Sequence, residues 1–235
     1  LAKRFRRQEF RPLQLRRKPS FAVLVLEGPI SMGRSGQEPH AAGIEALSLC
    51  ATIDALSLGP EAAVIVYINS PGGSAQASEI LYQALKRLGR KKPVIALMGS
   101  VAASGGYYLA CAAHVMYASP LTITGSIGVV TMRPELGKLY RRLGIKRERI
   151  LFQKTRDLFS ESRPLSPASR KLLISTIQST YHRFLDRVQR ARKIKSGALR
   201  ELAEGRIWTG RQFAAHGMLD GCRDFITVIE ETKKR

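Results

Sequence analysis

The stretch AVIVYINSPGGS, Ala63 to Ser74, decides the fold of this chain. Its first half, Ala63 to Ile68, is a continuous β-branched and apolar run, the pattern of a strand buried on both faces of a parallel sheet. Its second half, Asn69-Ser70-Pro71-Gly72-Gly73-Ser74, stops the strand with one Pro and two Gly. An amphipathic stretch from Ala75 to Leu88 follows, in which Ile80, Leu81, Ala84 and Leu88 share a helical face.

Working outward, the same alternation recurs. Upstream, Phe21 to Leu26 (FAVLVL) predicts a buried strand ended by Glu27-Gly28-Pro29, and Ile44, Leu47, Cys50 and Ile53 predict a helix over Ala41 to Leu58, stopped by Gly59-Pro60. Downstream, Pro93 to Met98 (PVIALM) predicts a third buried strand. It runs into Gly99 to Gly106, a helix through Ala113 and a fourth strand at His114 to Ala118. Strands alternating with helices imply parallel βαβ crossovers, with functional loops at the carboxyl ends of the strands, where both Gly-rich turns fall. Beyond the turn Thr124 to Gly128 we expect a helix at Pro134 to Leu143, a short strand at Ile150 to Phe152 and a long helix from Ser166 to Ala191. Shorter helices are expected at Leu199 to Ala203, Arg211 to His216 and Phe225 to Lys233. No internal repeat or low-complexity linker interrupts the chain, so the expected organisation is a basic tail, 1–20, and one α/β domain, 21–235.

The 235 residues, 44% hydrophobic, suffice for one full core. Cys50, Cys111 and Cys222 form no CxxC pair and have no nearby histidine pattern, so they read as small core residues, and nothing calls for a metal or a cofactor. A net charge of +21 ordinarily points to nucleic acid or an anionic membrane. One cluster is the tail (Lys3, Arg4, Arg6, Arg7, Arg11, Arg16, Arg17, Lys18), and the other is spread over Arg133 to Arg200. Neither has the aromatic platforms of nucleic-acid binders, so no specific nucleic acid is expected and a solvated or membrane-facing surface is favoured. No run of about 18 apolar residues crosses a membrane.

Two turns can carry chemistry. Pro71-Gly72-Gly73 offers backbone N–H groups with no Cβ in the way, as an oxyanion hole requires, although taken alone the stretch reads first as an ordinary turn. Ser104 lies between Ala102-Ala103 and Gly105-Gly106, where its hydroxyl is unshielded at a strand-to-helix turn. It reads as a nucleophile or as a packing residue in close helix–sheet contact. A serine nucleophile needs a base, and His40, His114, His182 and His216 sit in no convincing turn. A lysine can serve if burial or a nearby cation lowers its pKa from about 10.4 toward 7. Lys154 follows the apolar Ile150-Leu151-Phe152 and has Arg156 close by.

Taken together, INSPGGS (Ile68–Ser74), VAASGGYYLA (Val101–Ala110), ASP with TGSIGVV (Ala118–Val130) and GRIWTGRQFAAHGMLD (Gly205–Asp220) resemble the signal peptide peptidase A (SppA) family of membrane serine peptidases. The resemblance covers Phe21 to Ile229 and is to the short, single-domain type. It implies a Clp-protease/crotonase-like fold of ββα units, Ser104 as nucleophile and Ser126 as the hydroxyl that orients a catalytic lysine. Gly73 and Gly105 would supply oxyanion N–H groups. The family's lysine lies about eleven residues ahead of a Ser-Pro helix start, and counting back from Leu165-Ser166-Pro167 reaches Lys154. The resemblance further implies a homo-oligomer with active sites between subunits, and an anchor upstream of Leu1 that places the catalytic domain outside the cytoplasm.

The function expected is a Ser-Lys serine endopeptidase acting on remnant signal peptides or other apolar segments. A Clp-type Ser-His-Asp triad would need a histidine near Val129, and none is there. The alternative of another class is a catalytically silent scaffold that binds anionic membrane or nucleic acid.

Overall fold

The computed structural model describes residues 20–33, 43–147, 158 and 160–233. In chain order these form β1 (Phe21–Glu27), β2 (Ile30–Ser31), β3 (Ile44–Glu45), α1 (Ala46–Leu58), β4 (Ala63–Ser70), α2 (Ala75–Gly89), β5 (Val94–Ala103), α3 (Gly105–Ala110), β6 (Val115–Ala118) and β7 (Ile123–Gly125). The rest are α4 (Gly137–Arg142), α5 (Pro167–Arg192), α6 (Ser196–Leu202), β8 (Ile207–Thr209), α7 (Gly210–Ala215), β9 (Gly221–Cys222) and α8 (Phe225–Lys233). Of the expected tail only Ser20 is described, and the strand expected at Ile150 to Phe152 lies outside the described residues.

The main sheet runs β1-β4-β5-β6-β9 with every pair parallel, the arrangement that βαβ crossovers impose. β4 lies between β1 and β5 and is buried on both faces: Val64, Ile65, Val66 and Ile68 are at most 1% exposed. One face packs against α2, α3 and α5 through Leu81, Leu85, Tyr107 and Phe184, and the other carries a smaller cluster of Ile65, Ile95 and Leu97 under Val228 of α8. β2 and β3 form a separate parallel pair.

Several expectations change, among them that Ile44, expected on a helix face, pairs with Ile30 in β3, so that α1 begins only at Ala46. β1 is an edge strand, not a buried one: Leu24 and Leu26 face the core, but Val23 and Val25 are 40% and 55% exposed because α8 covers the middle of the sheet and not its edge. A run of apolar residues does not by itself report which faces are covered. β5 continues five residues past Met98 to Ala103, because its second half finds a new partner in β7, with Val101 opposite Ile123 and Ala103 opposite Gly125. The helix expected from Pro134 begins only at Gly137. Leu136 N–H donates to Glu161 O, and a side chain at Gly137 would stand 2.3 Å from Ser162 O, so packing on the 160–163 segment fixes where it starts.

Candidate active site

The turn after β4 is built by backbone contact with β2. Ile30 N–H donates to Gly72 O (2.9 Å) and Ser74 N–H to Ile30 O (2.8 Å), a parallel bridge centred on Gly73. In such a bridge the central residue's own N–H points away from the partner strand, here away from Ile30. Glycine is required twice. At Gly73 (φ +153°) a Cβ would lie 2.2 Å from Ile30 O, and at Gly72 (φ +103°) it would lie 2.8 Å from the Cβ of Ser104. Gly72 N–H is held by Ser70 Oγ (3.1 Å), a buried hydroxyl.

Ser104 follows the last residue of β5 and precedes the first of α3, with φ 52° and ψ −117°. This region is strained for any residue with a side chain, at a cost of about 1–3 kcal/mol, and it persists only where neighbours enforce it. Here Ser104 N–H donates to Gly125 O (2.9 Å) and Tyr108 N–H to Ser104 O (2.9 Å). The Ser104 side chain does not cap α3, and the residue is half-buried. A sharp strand-to-helix turn that presents a hydroxyl in this way is the geometry of a nucleophile elbow. Gly105 opens α3, so its N–H has no acceptor within the helix, and a Cβ there would meet Ser78 Oγ at 2.6 Å.

Ser126, also left-handed (φ 48°), is held by its own N–H donating to Arg206 O (2.7 Å), while Gly205 N–H donates to Ile127 O (3.0 Å). The buried Thr124 ties this strand to β5 through Oγ1 donating to Ala102 O (2.8 Å). Gly73, Ser104, Gly105 and Ser126 thus line one cleft of about 720 Å³, whose apolar wall is formed by Ile80, Val129, Val130 and Phe184. Lys154 and Arg156 lie outside the described residues.

The described histidines lie elsewhere. His114 Nδ1 accepts from Val94 N–H (3.0 Å), His216 ends α7 against the Trp208 ring, and His182 is exposed on α5. Among the described residues no histidine lines the cleft.

The sequence did not reveal one polar cluster at the cleft. Glu79 of α2 accepts from Arg187 Nη2 (2.8 Å), Gln83 Nε2 (2.7 Å) and the Tyr108 hydroxyl, while Arg187 lies 4.9 Å from the Tyr82 ring centre. Burial pushes the Glu79 carboxyl up, but the donors from Arg187, Gln83 and Tyr108 outweigh it and hold the group below its ordinary 4.5. Burial and the same carboxylate drive the Tyr108 phenol well above its ordinary range. Tyr108 stands one helical turn after Ser104, so the cluster fixes α3 against α2 and α5 behind the candidate nucleophile. Its members come from three elements, and no local spacing announces them.

Comparison with known proteins agrees with this geometry. The sequence profile of peptidase family S49 matches residues 86–235, and that of Clp protease matches residues 30–124. The chain is 41% identical over 174 residues to the chloroplastic serine protease SPPA of Arabidopsis thaliana, covering 74% of this chain and 26% of that protein. It is 34% identical over 214 residues to Protease 4 of Haemophilus influenzae, covering 91% of this chain and 34% of that protein. The chain therefore spans between a quarter and about a third of the length of these relatives. Its fold matches a mutant ClpP1 from Listeria monocytogenes with a TM-score of 0.57 at 13% identity, over 86% of this chain and 91% of that one. The fold is Clp-protease-like, and the chain belongs to peptidase family S49, the family of the SppA-type proteases.

Proposed function

We propose that the chain is a serine endopeptidase that cleaves peptide bonds through an acyl-enzyme on Ser104, with Lys154 as the base. The observation that carries this reading is the strained Ser104 turn, which presents a half-buried hydroxyl beside two glycine N–H groups and Ser126 in one cleft. The neutral Lys154 amine takes the Ser104 proton as Oγ attacks the scissile carbonyl. The N–H groups of Gly73 and Gly105 receive the developing oxyanion. Lysine then returns the proton to the leaving amine, and a water deprotonated by the same amine hydrolyses the ester. Ser126 hydrogen-bonds the amine and keeps it aimed.

The apolar wall of Ile80, Val129, Val130 and Phe184 favours apolar substrate segments, remnant signal peptides among them. Family membership supports a homo-oligomer in which Lys154 of one copy serves Ser104 of the next, and an anchor upstream of Leu1 with the domain outside the cytoplasm.

Cleavage of an unstructured apolar peptide tests the dyad. Ser104→Ala and Lys154→Ala are each expected to lower kcat by at least about 1,000-fold. A serine-reactive phosphonate should label wild type and not Ser104→Ala. Full activity in either variant would overturn the dyad, and would leave the silent scaffold as the better account. Mixing the two inactive variants should restore part of the activity if the site is shared between copies.

A further inference from the structure

The cleft that holds Ser104 is walled on two sides by α2 and α5, and the charges on those walls do not pair with each other. Among the described residues that line it, Glu79 of α2 is the one carboxylate and Arg183 of α5 the one cation. Both oxygens of Glu79 are taken: Oε1 accepts from Arg187 Nη2 (2.8 Å) and Gln83 Nε2 (2.7 Å), and Oε2 from the Tyr108 hydroxyl. Arg183 is exposed and forms no ion pair among the described residues, whereas its neighbours Asp186, Arg187 and Arg190 all do. Its place is fixed all the same. The next residue, Phe184, is buried with its ring 4.9 Å from that of Tyr108, so α5 is pinned to α3 at this level. One turn earlier Thr180 also lines the cleft, but its hydroxyl donates to Thr176 O (2.9 Å) within α5. Arg183 is therefore the donor that α5 offers to whatever enters.

We propose that Arg183 is a specificity determinant that binds a carboxylate of the peptide substrate, so that the cleft selects apolar segments that also carry a negative charge. This rests on the peptidase reading and deepens it. When a peptide fills the cleft, the walls of Ile80 and Phe184 exclude water, and a guanidinium that loses hydration there is compensated only by an anion. In a peptide that anion is a carboxylate, whose two oxygens fit the planar fork of arginine. Glu79 does not oppose it, since its charge is met by Arg187. Two sources supply the group: an Asp or Glu side chain, and the free carboxyl terminus of a peptide already cut from a longer chain. A site shared between copies is compatible with this subsite, because a neighbour that delivers Lys154 to Ser104 has to leave the cleft open to substrate.

The test gives the full chain one unstructured apolar peptide in several forms: with a free carboxyl terminus, as the neutral carboxyl-terminal amide, and as amides with a single Glu stepped along the sequence. Wild type is expected to favour a carboxylate form over the neutral amide by about five- to tenfold in kcat/KM, chiefly through KM. Which form is favoured tells the free terminus from the side chain. Arg183→Gln should bring that ratio to about one, Arg183→Lys should keep part of it, and Arg183→Glu should invert it. Binding of the same peptides to Ser104→Ala, read by fluorescence anisotropy, reports the preference without catalysis. A preference retained there while wild type cleaves nothing would support the subsite and sink the peptidase reading alone. A wild-type ratio below about twofold for every carboxylate form would overturn the subsite and leave the peptidase standing. So would equal losses for all forms in Arg183→Gln, the mark of a merely structural residue. Loss of self-association in that variant with the ratio unchanged would overturn it too, and would assign Arg183 to a contact between copies.

Discussion

A methyl group on Gly72 would stand 2.7 Å from the nitrogen of Gly105 and 2.8 Å from the Cβ of Ser104, at a φ of +103° that side chains rarely adopt. The atoms it would meet are backbone of Ala103 and Gly105 and the Cβ of Ser104, so the clash cannot be relieved by turning a flexible side chain. Gly72→Ala is therefore expected to displace the Ser104 turn and lower kcat/KM by about 100-fold or more, since misplacing a reacting group by an ångström has that effect. Phosphonate labelling of Ser104 should slow in parallel. Gly197, with nothing within 4 Å of its would-be Cβ, is the control: Gly197→Ala in α6 should raise stability by about 0.5–1 kcal/mol in urea denaturation and leave cleavage unchanged. At this scale the site was partly legible. Ser104 showed itself because its neighbours are small, and Gly72-Gly73 because Pro and Gly end a buried strand. The strain at Ser104 and Ser126 was not legible, because a left-handed serine follows from hydrogen bonds to Gly125 and Arg206, which are distant in sequence or belong to another strand.

At the scale of elements, α2, α3 and α5 meet at Glu79, Tyr108 and Arg187, and this junction makes a pH-dependent contribution. The folded Glu79 carboxyl lies below its ordinary 4.5, because the donors from Arg187, Gln83 and Tyr108 favour its charged form against the opposing effect of burial. A depressed carboxyl stabilises the fold fully above the unfolded value and loses that contribution as pH falls through the folded one. Glu79→Gln is accordingly expected to cost about 1–2 kcal/mol near neutral pH, a figure discounted for the partial exposure of the pair. The difference in thermal midpoint between variant and wild type should narrow as pH drops below about 4.5. A gap independent of pH from 7 to 3 would show that the charge of Glu79 does not matter. Elements this long announce themselves: the apolar spacing of α2, the Ser166-Pro167 start of α5 and the whole of α8 were readable. The strands β2, β7, β8 and β9 were not, since two or three residues hold no period and each exists only through its partner.

Over the whole molecule, the carboxyl-terminal motif Gly205–Asp220 closes the chain back onto the sheet that the amino-terminal half builds. Its resemblance to family members was evident in the sequence, but its physical task was not, because the bonds that tie it to the sheet span long stretches of chain, even though others within it are local. The buried Tyr107 hydroxyl donates to Met218 O (2.9 Å), and Trp208 Nε1 donates to Leu202 O (3.0 Å). Asp220 is the centre of the closure. Its Oδ2 accepts from Met116 N–H (2.7 Å) at β6, its own N–H donates to Met116 O (2.9 Å), and both carboxylate oxygens accept from Arg192 at the end of α5 (2.9 and 3.1 Å). The Arg192 side chain is only 10% exposed, so removing its partner leaves a nearly buried cation and an unmet strand N–H. Asp220→Ala is expected to cost about 3 kcal/mol and lower the thermal midpoint by about 6–12 °C. Asp220→Asn keeps an acceptor for Met116 N–H and should recover about a third to a half of that loss, with the remainder due to the unpaired Arg192. Because neither Asp220 nor its partners Met116 and Arg192 line the cleft, kcat/KM at 25 °C should stay within about twofold in both variants. Equal losses for Ala and Asn would mean that the charge pair alone holds the carboxyl-terminal motif to the sheet, and no loss in either would show that the apolar packing of Phe213, Met218 and Leu219 closes the molecule unaided.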